Sequence, residues 1–273
     1  MERKIKNMTQ EEKYKEIFIA PLRESACYLP KFGHNKTSGF SLTEFQNLYG
    51  NDIFYRWLGL DSPLMYSAHK LAGGITSIYR QIGIGCERLV REIFIDSLGL
   101  SSEDVKWSYA IEDASGKKRI LSLDGRITFD AIRDQEKKKV FLQWKNSVLD
   151  YLKLSDSMSK IINGVVFEVR QGYKSKDSKR QNADIANATN SYINGYIPCL
   201  MVMSSQIDDT IVSRYSHSKW LILQGYVNGT PITSTYDFYK DVVGFDLATF
   251  MENNQADFKN EIYSVLKILS ESQ

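Results

Sequence analysis

The sequence predicts an α/β protein with a mixed central sheet flanked by helices and an N-terminal helical extension. Three observations predict this class. Apolar residues recur at helical spacing before residue 99, and short runs rich in β-branched and aromatic residues follow between 105 and 147. The near-continuous apolar run IPCLMVMSS is typical of a strand that is buried on both faces.

The helices are predicted from apolar spacing and from stop residues. Residues 1–78 form the helical extension, and the next helix ends at Gly99. Its apolar stripe consists of Leu89, Val90, Ile93, Phe94 and Leu98. A further helical part covers 155–170, and a better-defined helix runs from Ser178 to Asn194 and stops at Gly195. The last helix is amphipathic, with a stripe of Phe258, Ile262, Val265, Leu266 and Leu269.

Six strands are predicted in all. The first four are VKWSYAIED (105–113), RILSLD (119–124), RITFDAI (126–132) and KVFLQWKNS (139–147). A hairpin turn near Asp134 to Glu136 joins the last two of these, and IPCLMVMSS and WLILQGYV follow later in the chain. No linker rich in Gly, Ser or Pro divides the chain. We therefore expect a single domain over 1–273, with a core at 79–205 and C-terminal strand and helix elements at 206–273.

Composition narrows the function classes. The 273 residues are 42% hydrophobic and carry a formal net charge of +2, so any polyanion site must be local. Three cysteines without metal-ligand spacing argue against a disulfide framework or a zinc site. The N-terminal segment is charged, and no stretch approaches the ~18 apolar residues that span a membrane. We expect a cytoplasmic protein without a membrane partner, and we expect no nucleotide cofactor because phosphate-binding glycine motifs are missing.

The predicted hairpin brings an acid, an amide and an ammonium group together. On a strand Gln143 and Lys145 share one face, while Trp144 points into the core. Folding at the turn places Asp124 opposite roughly Gln143 to Ser147, whereas Asp130 would lie about 20 Å from Asp124 and is expected at the surface. Carboxylate and amide oxygens suit Mg²⁺, and a neighbouring ammonium can stabilise charge on a phosphoryl oxygen.

This arrangement resembles the PD-(D/E)xK nuclease superfamily. The superfamily pattern is an acid at a bend between strands, followed by acid-x-Lys on the next strand, and it matches Asp124 in LDGRI and Gln143-Trp144-Lys145. Glu87 lies where the superfamily often has a Glu on the preceding helix. The likeness spans about 83–205, and it departs from the pattern at Leu123, which replaces Pro, and at Gln143, which replaces an acid.

The resemblance implies a restriction-endonuclease-like core and a type II restriction enzyme, and the segment TSIYRQIGIGCERL is similar to the ApaLI-type subgroup. It implies Mg²⁺ bound by Asp124, Gln143, Glu87 and the backbone carbonyl of Trp144. Lys145 would position or activate water for attack on a phosphodiester of double-stranded DNA. Cutting both strands of a symmetric target would imply a homodimer.

The segment RQGYKSKDSKRQN is the main candidate for contacting DNA. Its cations and amides are types that bind phosphates and base edges. The candidate DNA-binding residues are Arg170, Lys174, Lys176, Lys179, Arg180 and Gln181, together with Arg80 ahead of the helix that carries Glu87. A solvated charged loop explains the same run.

Other functions remain open at this point. A repair or recombination nuclease would use the same core but read DNA structure instead of sequence. A DNA-binding module with a degenerate site is suggested by Gln143, and it would bind DNA without cutting it. A globular domain unrelated to DNA would show no salt-dependent DNA binding.

Overall fold

The computed structural model describes residues 8–33, 36–112, 118–172 and 178–271. It is a mixed α/β structure in which contacts divide the chain into two compact units. One unit comprises 1–85 and 253–273, and the other comprises 86–252. The single domain expected from the sequence stays a prediction.

The first unit is helical. Its helices are α1 (Gln10–Glu24), α2 (Leu42–Gly50), α3 (Ile53–Trp57), the first part of α4 (Pro63–Leu98), and α11 (Gln255–Ser270), whose predicted amphipathic character is confirmed. Thr9 and Glu12 form a capping box that starts α1 by satisfying two backbone N–H groups. Leu22, Ile78, Val265 and Leu269 form a buried cluster in this unit.

The second unit contains the strands. They are β1 (Trp107–Glu112), β2 (Lys118–Leu123), β3 (Gly125–Thr128), β4 (Gly164–Arg170), β5 (Tyr196–Val202) and β6 (Leu221–Leu223). β1 and β2 form an antiparallel pair, and the other strands form a sheet in the order β3-β4-β5-β6. β3 runs antiparallel to β4, whereas β4, β5 and β6 are parallel, so this sheet is mixed, as predicted.

Helices flank the mixed sheet. They are α5 (Gln135–Leu152), α6 (Asp156–Ile161), α7 (Ser178–Ile193), α8 (Asp209–His217), α9 (Thr235–Asp237) and α10 (Leu247–Asn253), with a π-helix at Phe238–Val243. α7 connects the parallel strands β4 and β5. One core cluster joins Val166 and Leu200 of the sheet to Tyr215 of α8. An aromatic cluster joins Phe167 of β4 to Trp144 of α5 through Phe238.

Several predicted elements are confirmed with small shifts of their bounds. The predicted stripe before Gly99 lies on α4, and Gly99 ends that helix with a φ of +68°. Gly195, with a φ of +78°, follows α7 in the same way. IPCLMVMSS forms β5, whose residues after Tyr196 are all buried, as expected for a central strand.

The predicted strand at 139–147 is wrong, because these residues lie within helix α5. Asp134, placed by the sequence analysis in a hairpin turn, caps the helix by accepting hydrogen bonds from the backbone N–H groups of Glu136 and Lys137. The buried residues Phe141, Trp144 and Val148 recur at intervals of three and four, which is helical spacing. The predicted strand at 126–132 likewise stops at Thr128 and continues into a short 3₁₀ turn.

The predicted helix at 155–170 is also wrong over most of its length. Only Asp156–Ile161 is helical, and the following segment GVVFEVR is the central strand β4. Its first six residues are buried and its sequence is rich in valine, a combination that favours a strand with both faces covered. This strand takes the place that the prediction had assigned to KVFLQWKNS.

Gly164 at the start of β4 provides a stability test. A Cβ at this position would lie 2.4 Å from the carbonyl oxygen of Ile127 and 2.6 Å from the ring of Tyr196. We expect Gly164→Ala to lower the free energy of unfolding by about 1–3 kcal/mol through overpacking. Gly83→Ala is the control, because nothing lies within 4 Å of its Cβ position and alanine favours a helix. Thermal unfolding followed by circular dichroism measures both, and equal melting temperatures would contradict the expectation.

None of the helices within the described ranges is long and apolar enough to cross a membrane.

Candidate functional site

Asp124 lies at the bend between β2 and β3, where the sequence analysis placed it. Two hydrogen bonds hold it against β4. Its backbone N–H donates to the carbonyl oxygen of Phe167 at 2.8 Å, and its Oδ2 accepts from the backbone N–H of Val169 at 2.8 Å. The carboxylate of Asp124 is therefore held at the carboxyl end of the central strand.

The residues on either side of Val169 complete the centre of the site. Glu168 and Arg170 share one face of β4, because alternate residues of a strand point the same way. The Nη2 of Arg170 forms an ion pair with Glu168, and its Nη1 lies 3.9 Å from the Oδ2 of Asp124. Two carboxylates from different parts of the chain thus meet at one guanidinium group.

Helix α7 contributes a third carboxylate. Asp184 is buried, and its Oδ2 lies 4.0 Å from the Nη2 of Arg170. The hydroxyl of Tyr215 on α8 donates to the same oxygen of Asp184. Three residues further along α7, the amide oxygen of Asn187 accepts from Tyr109 of β1. These hydrogen bonds tie α7 to neighbouring elements and fix Asp184 on the Arg170 side of the sheet.

Helix α4 reaches the site through Arg91. The Nε of Arg91 donates to the backbone carbonyl of Asp124, and its Nη2 lies 3.7 Å from the Oε2 of Glu87. Glu87 and Arg91 are one turn apart on the helix, so both face the bend. Arg91 thus contacts both Glu87 and the backbone of Asp124, and the role of Glu87 in binding a metal stays a prediction.

The cluster of Asp124, Glu168, Arg170 and Asp184, which we call the β4 cluster, is largely buried and negatively charged. Side-chain exposure is 19% for Asp124, 12% for Arg170, 9% for Glu168 and 7% for Asp184. With three carboxylates and one guanidinium, its formal charge is −2 when all are ionised. Buried carboxylates need cations or hydrogen-bond donors, and Arg170 is the cation that these three carboxylates share.

Arg170 retains unused hydrogen-bonding capacity. Its buried Nε has no hydrogen-bond partner within the part of the chain that the structure describes. A buried donor without a partner is costly and usually marks a place for water, an ion or a ligand. A phosphate oxygen would satisfy it, because guanidinium groups bind phosphate well.

Gln143 and Lys145 do not lie in the β4 cluster, which corrects their predicted placement. Gln143 is exposed on α5. The Nζ of Lys145 donates to the carbonyl oxygen of Ile162, just before β4 begins, and lies 6.0 Å from the ring centroid of Phe129. From Gly164 to Val169 the strand extends about 16 Å, so Lys145 is bound at the opposite end of β4 from Asp124.

The surroundings of Lys145 and Trp144 fit structural roles. Burial lowers the pKa of the Lys145 ammonium group. Trp144 is buried, as predicted, and its indole N–H donates to the carbonyl oxygen of Pro231. Its backbone carbonyl belongs to helix α5, which removes the reason for expecting it as a metal ligand. Asp130 is at the surface, as predicted, and pairs with Lys138 at 2.7 Å.

The donor set fits Mg²⁺ with few protein ligands. Across the described ranges, no group of three His, Cys, Asp or Glu side chains is arranged to hold a metal ion. Mg²⁺ is often bound by only one or two carboxylates, with water and substrate phosphates as the other ligands. Asp124 and Glu168 supply two hard oxygen donors at the end of one strand, and this pair is compatible with such a site.

The residues expected to contact DNA are only partly described. Arg170 is in the β4 cluster and is largely buried, so it faces carboxylates instead of base edges. Arg80 is exposed on α4. Lys174 and Lys176 lie outside the described residues, and so do the side chains of Lys179, Arg180 and Gln181 on α7.

Sequence reasoning missed Glu168, Asp184 and the role of Arg170. A usable signal was present in GVVFEVR, where Glu168 interrupts a run of apolar residues typical of a buried strand. A carboxylate in such a run needs a partner, and Arg170 stands two residues later on the same strand face. Asp184 had no comparable signal, because its position depends on the packing of α7.

Comparisons with protein-family models, curated proteins and solved structures found no match.

Proposed function

We propose that this protein is a Mg²⁺-dependent endodeoxyribonuclease of the type II restriction class, with its active site in the β4 cluster. The observation that carries the proposal is the carboxylate of Asp124 bound to β4 beside Glu168-Val169-Arg170. The resemblance implies an acid at a bend followed by acid-x-Lys on the next strand of the sheet. In this proposal Glu168-Val169-Arg170 of β4 would supply the second half of the pattern, with Arg170 at the Lys position.

Each side chain has a distinct role in this proposal. Asp124 and Glu168 would hold Mg²⁺, which supplies charge neutralisation and a bound water of lowered pKa. Arg170 would donate to a phosphoryl oxygen of the scissile group, where negative charge develops. It would not act as a base, because a guanidinium group keeps its proton in proteins. Asp184 and Tyr215 would orient Arg170, and Arg91 would hold the bend that carries Asp124.

The position of Arg170 also favours a second candidate, a DNA-binding protein that does not cut. The guanidinium already neutralises Glu168 and lies within 4.0 Å of the carboxylates of Asp124 and Asp184. A cation fixed there competes with a metal ion for the same oxygens. Such a protein would bind DNA through surface cations without hydrolysing it.

Incubation of plasmid and phage DNA with the protein in Mg²⁺, with and without EDTA, tests the proposal. Discrete fragments that disappear with EDTA are the expected result. A smear, or cleavage confined to branched or nicked substrates, would instead favour a repair or recombination nuclease. Salt-dependent DNA binding without cleavage would favour the binding protein. If neither binding nor cleavage is observed, the protein has a function unrelated to DNA.

A further inference from the structure

The short helix α3 carries an apolar face that the described residues leave uncovered. Ile53 is 54% exposed, Phe54 58%, Trp57 73% and Leu58 57%. We call these four residues the α3 face. On a helix, residues i, i+1, i+4 and i+5 lie within about 140° of arc, so the four side chains form one continuous stripe.

The α3 face is not explained by the folding of the first unit. The helix is only five residues long, and none of its residues is buried. Short helices are marginal in water and ordinarily gain their stability from packing an apolar face. Two contacts hold the helix in place from its other side. Asp52 accepts hydrogen bonds from the backbone N–H groups of Phe54 and Tyr55, and the ring of Tyr55 packs against the ring of Tyr49.

The α3 face has the composition of a protein interface. Phe and Trp are enriched at the cores of such interfaces, and so is Arg, which is present as Arg56 beside the stripe. A contiguous exposed apolar patch on a protein surface marks an interaction site. The aromatic side chains of Phe54 and Trp57 have about 150–250 Å² each and are more than half exposed. Together with Ile53 and Leu58, they offer roughly 500 Å² of apolar surface per copy. This is more than half of the roughly 800 Å² that each partner contributes to a standard interface.

Charge separates the candidate occupants. The segment from Asp52 to Asp61 contains two acids and one base, Arg56, so its net charge is −1. A DNA-binding surface needs cations to neutralise phosphates, and membrane-surface helices are rich in Lys and Arg on their polar face. Neither condition is met here. A second copy of the same segment presents an Arg to an Asp, together with an identical apolar stripe.

We infer that the α3 face is the homodimer interface of this protein, with α3 packing against α3 of a second copy. Such a contact uses the same patch on both subunits, which is how twofold dimers are built. The inference does not depend on the proposed nuclease activity, since it rests on exposure and charge in the first unit alone.

The test is the molar mass of the full chain in solution, measured by light scattering after size-exclusion chromatography from 1 to 100 µM. Weak interfaces dissociate within about this range of protein concentration. We expect twice the 31.3 kDa chain mass for the wild type. The double variant Phe54→Ser/Trp57→Ser should dissociate at least about tenfold more readily, because central aromatic residues dominate interfaces. α3 has no buried residue, so the substitutions should leave the melting temperature of the monomer unchanged.

Tyr263→Ser is the matched control. Tyr263 is 69% exposed on α11 of the same unit, but it is outside the α3 face, so its loss should leave the dimer intact. A wild type that stays monomeric would overturn the inference, and so would a dimer that survives the double variant. A monomeric wild type whose DNA binding is lost in the double variant would identify the α3 face as a DNA contact instead. All masses are measured without DNA and Mg²⁺, so the result is separate from the outcome of the cleavage assay.

Discussion

Glu168→Gln and Asp124→Asn are each expected to reduce Mg²⁺-dependent DNA cleavage by at least about a thousandfold. Both substitutions keep the shape of the side chain and remove its negative charge, so the two proposed metal-binding oxygens lose most of their affinity for a hard cation. Loss of a group that stabilises transition-state charge commonly costs 10²–10³ in rate, and a weakened metal site adds to it. Initial rates on a plasmid carrying a known cleavage site measure the effect.

Lys145→Ala and Gln143→Ala are the matched controls for this prediction. Lys145 is bound to the carbonyl oxygen of Ile162 at the far end of β4, and Gln143 is exposed on α5. We expect both variants to cut at rates within a few-fold of wild type. Lys145→Ala should lower the free energy of unfolding by about 1 kcal/mol, since it removes one hydrogen bond. If Lys145→Ala lost cleavage while Glu168→Gln kept full activity, the active site would include Lys145 on α5 and not the β4 cluster.

Arg170→Met is expected to destabilise the fold strongly, by about 3–5 kcal/mol. The substitution leaves the carboxylates of Asp124, Glu168 and Asp184 without their shared cation in a largely buried cluster. Removing one partner of a buried ion pair leaves an uncompensated charge, which carries a cost of this size. Urea unfolding at neutral pH in EDTA gives the difference from wild type.

Mg²⁺ should restore part of the stability lost in Arg170→Met. Without the guanidinium, the carboxylates lose their shared cation and should bind Mg²⁺ more tightly, and a ligand that binds only the native state stabilises that state. At 10 mM Mg²⁺ we therefore expect a larger rise in unfolding midpoint for Arg170→Met than for wild type. Lys138→Met is the control, because Lys138 pairs with the exposed Asp130, and surface pairs contribute about 0–1 kcal/mol. An equal response of all three proteins to Mg²⁺ would contradict a cation site in the β4 cluster.

The sequence predicted the mixed sheet correctly, but it assigned one strand to the wrong segment. KVFLQWKNS contains β-branched and aromatic residues, yet it follows Asp134 and a run of good helix formers, and its buried residues recur at helical intervals. GVVFEVR lies just after a short helix. Because nearly all of its residues are buried, it lacks the alternation of apolar and polar residues that identifies a half-exposed strand. Both errors arise where a short apolar run is compatible with a helix and with a buried strand.

The candidate site was predictable to the extent that it depends on local chain geometry. Asp124 next to Gly125 at a bend between two strands was found, because the turn and the flanking strand patterns lie within one short segment. Glu87 was proposed from the resemblance, which places a Glu on the preceding helix, and it lies on α4. Glu168 and Asp184 were missed, since their proximity to Asp124 follows from strand pairing and helix packing between distant segments.

The pairing of β3 with β4 has a consequence for variation in this chain. The register Gly125 opposite Phe167 sets the distance between Asp124 and Glu168, whatever number of residues lies between the two strands. The connection at 129–163 leaves one strand and returns to the neighbouring one, and it contains α5 and α6. Insertions or deletions in this connection would therefore leave the separation of the two acids in space unchanged while altering their separation along the chain. A search for proteins with the same arrangement should fix the strand register and let the motif spacing vary.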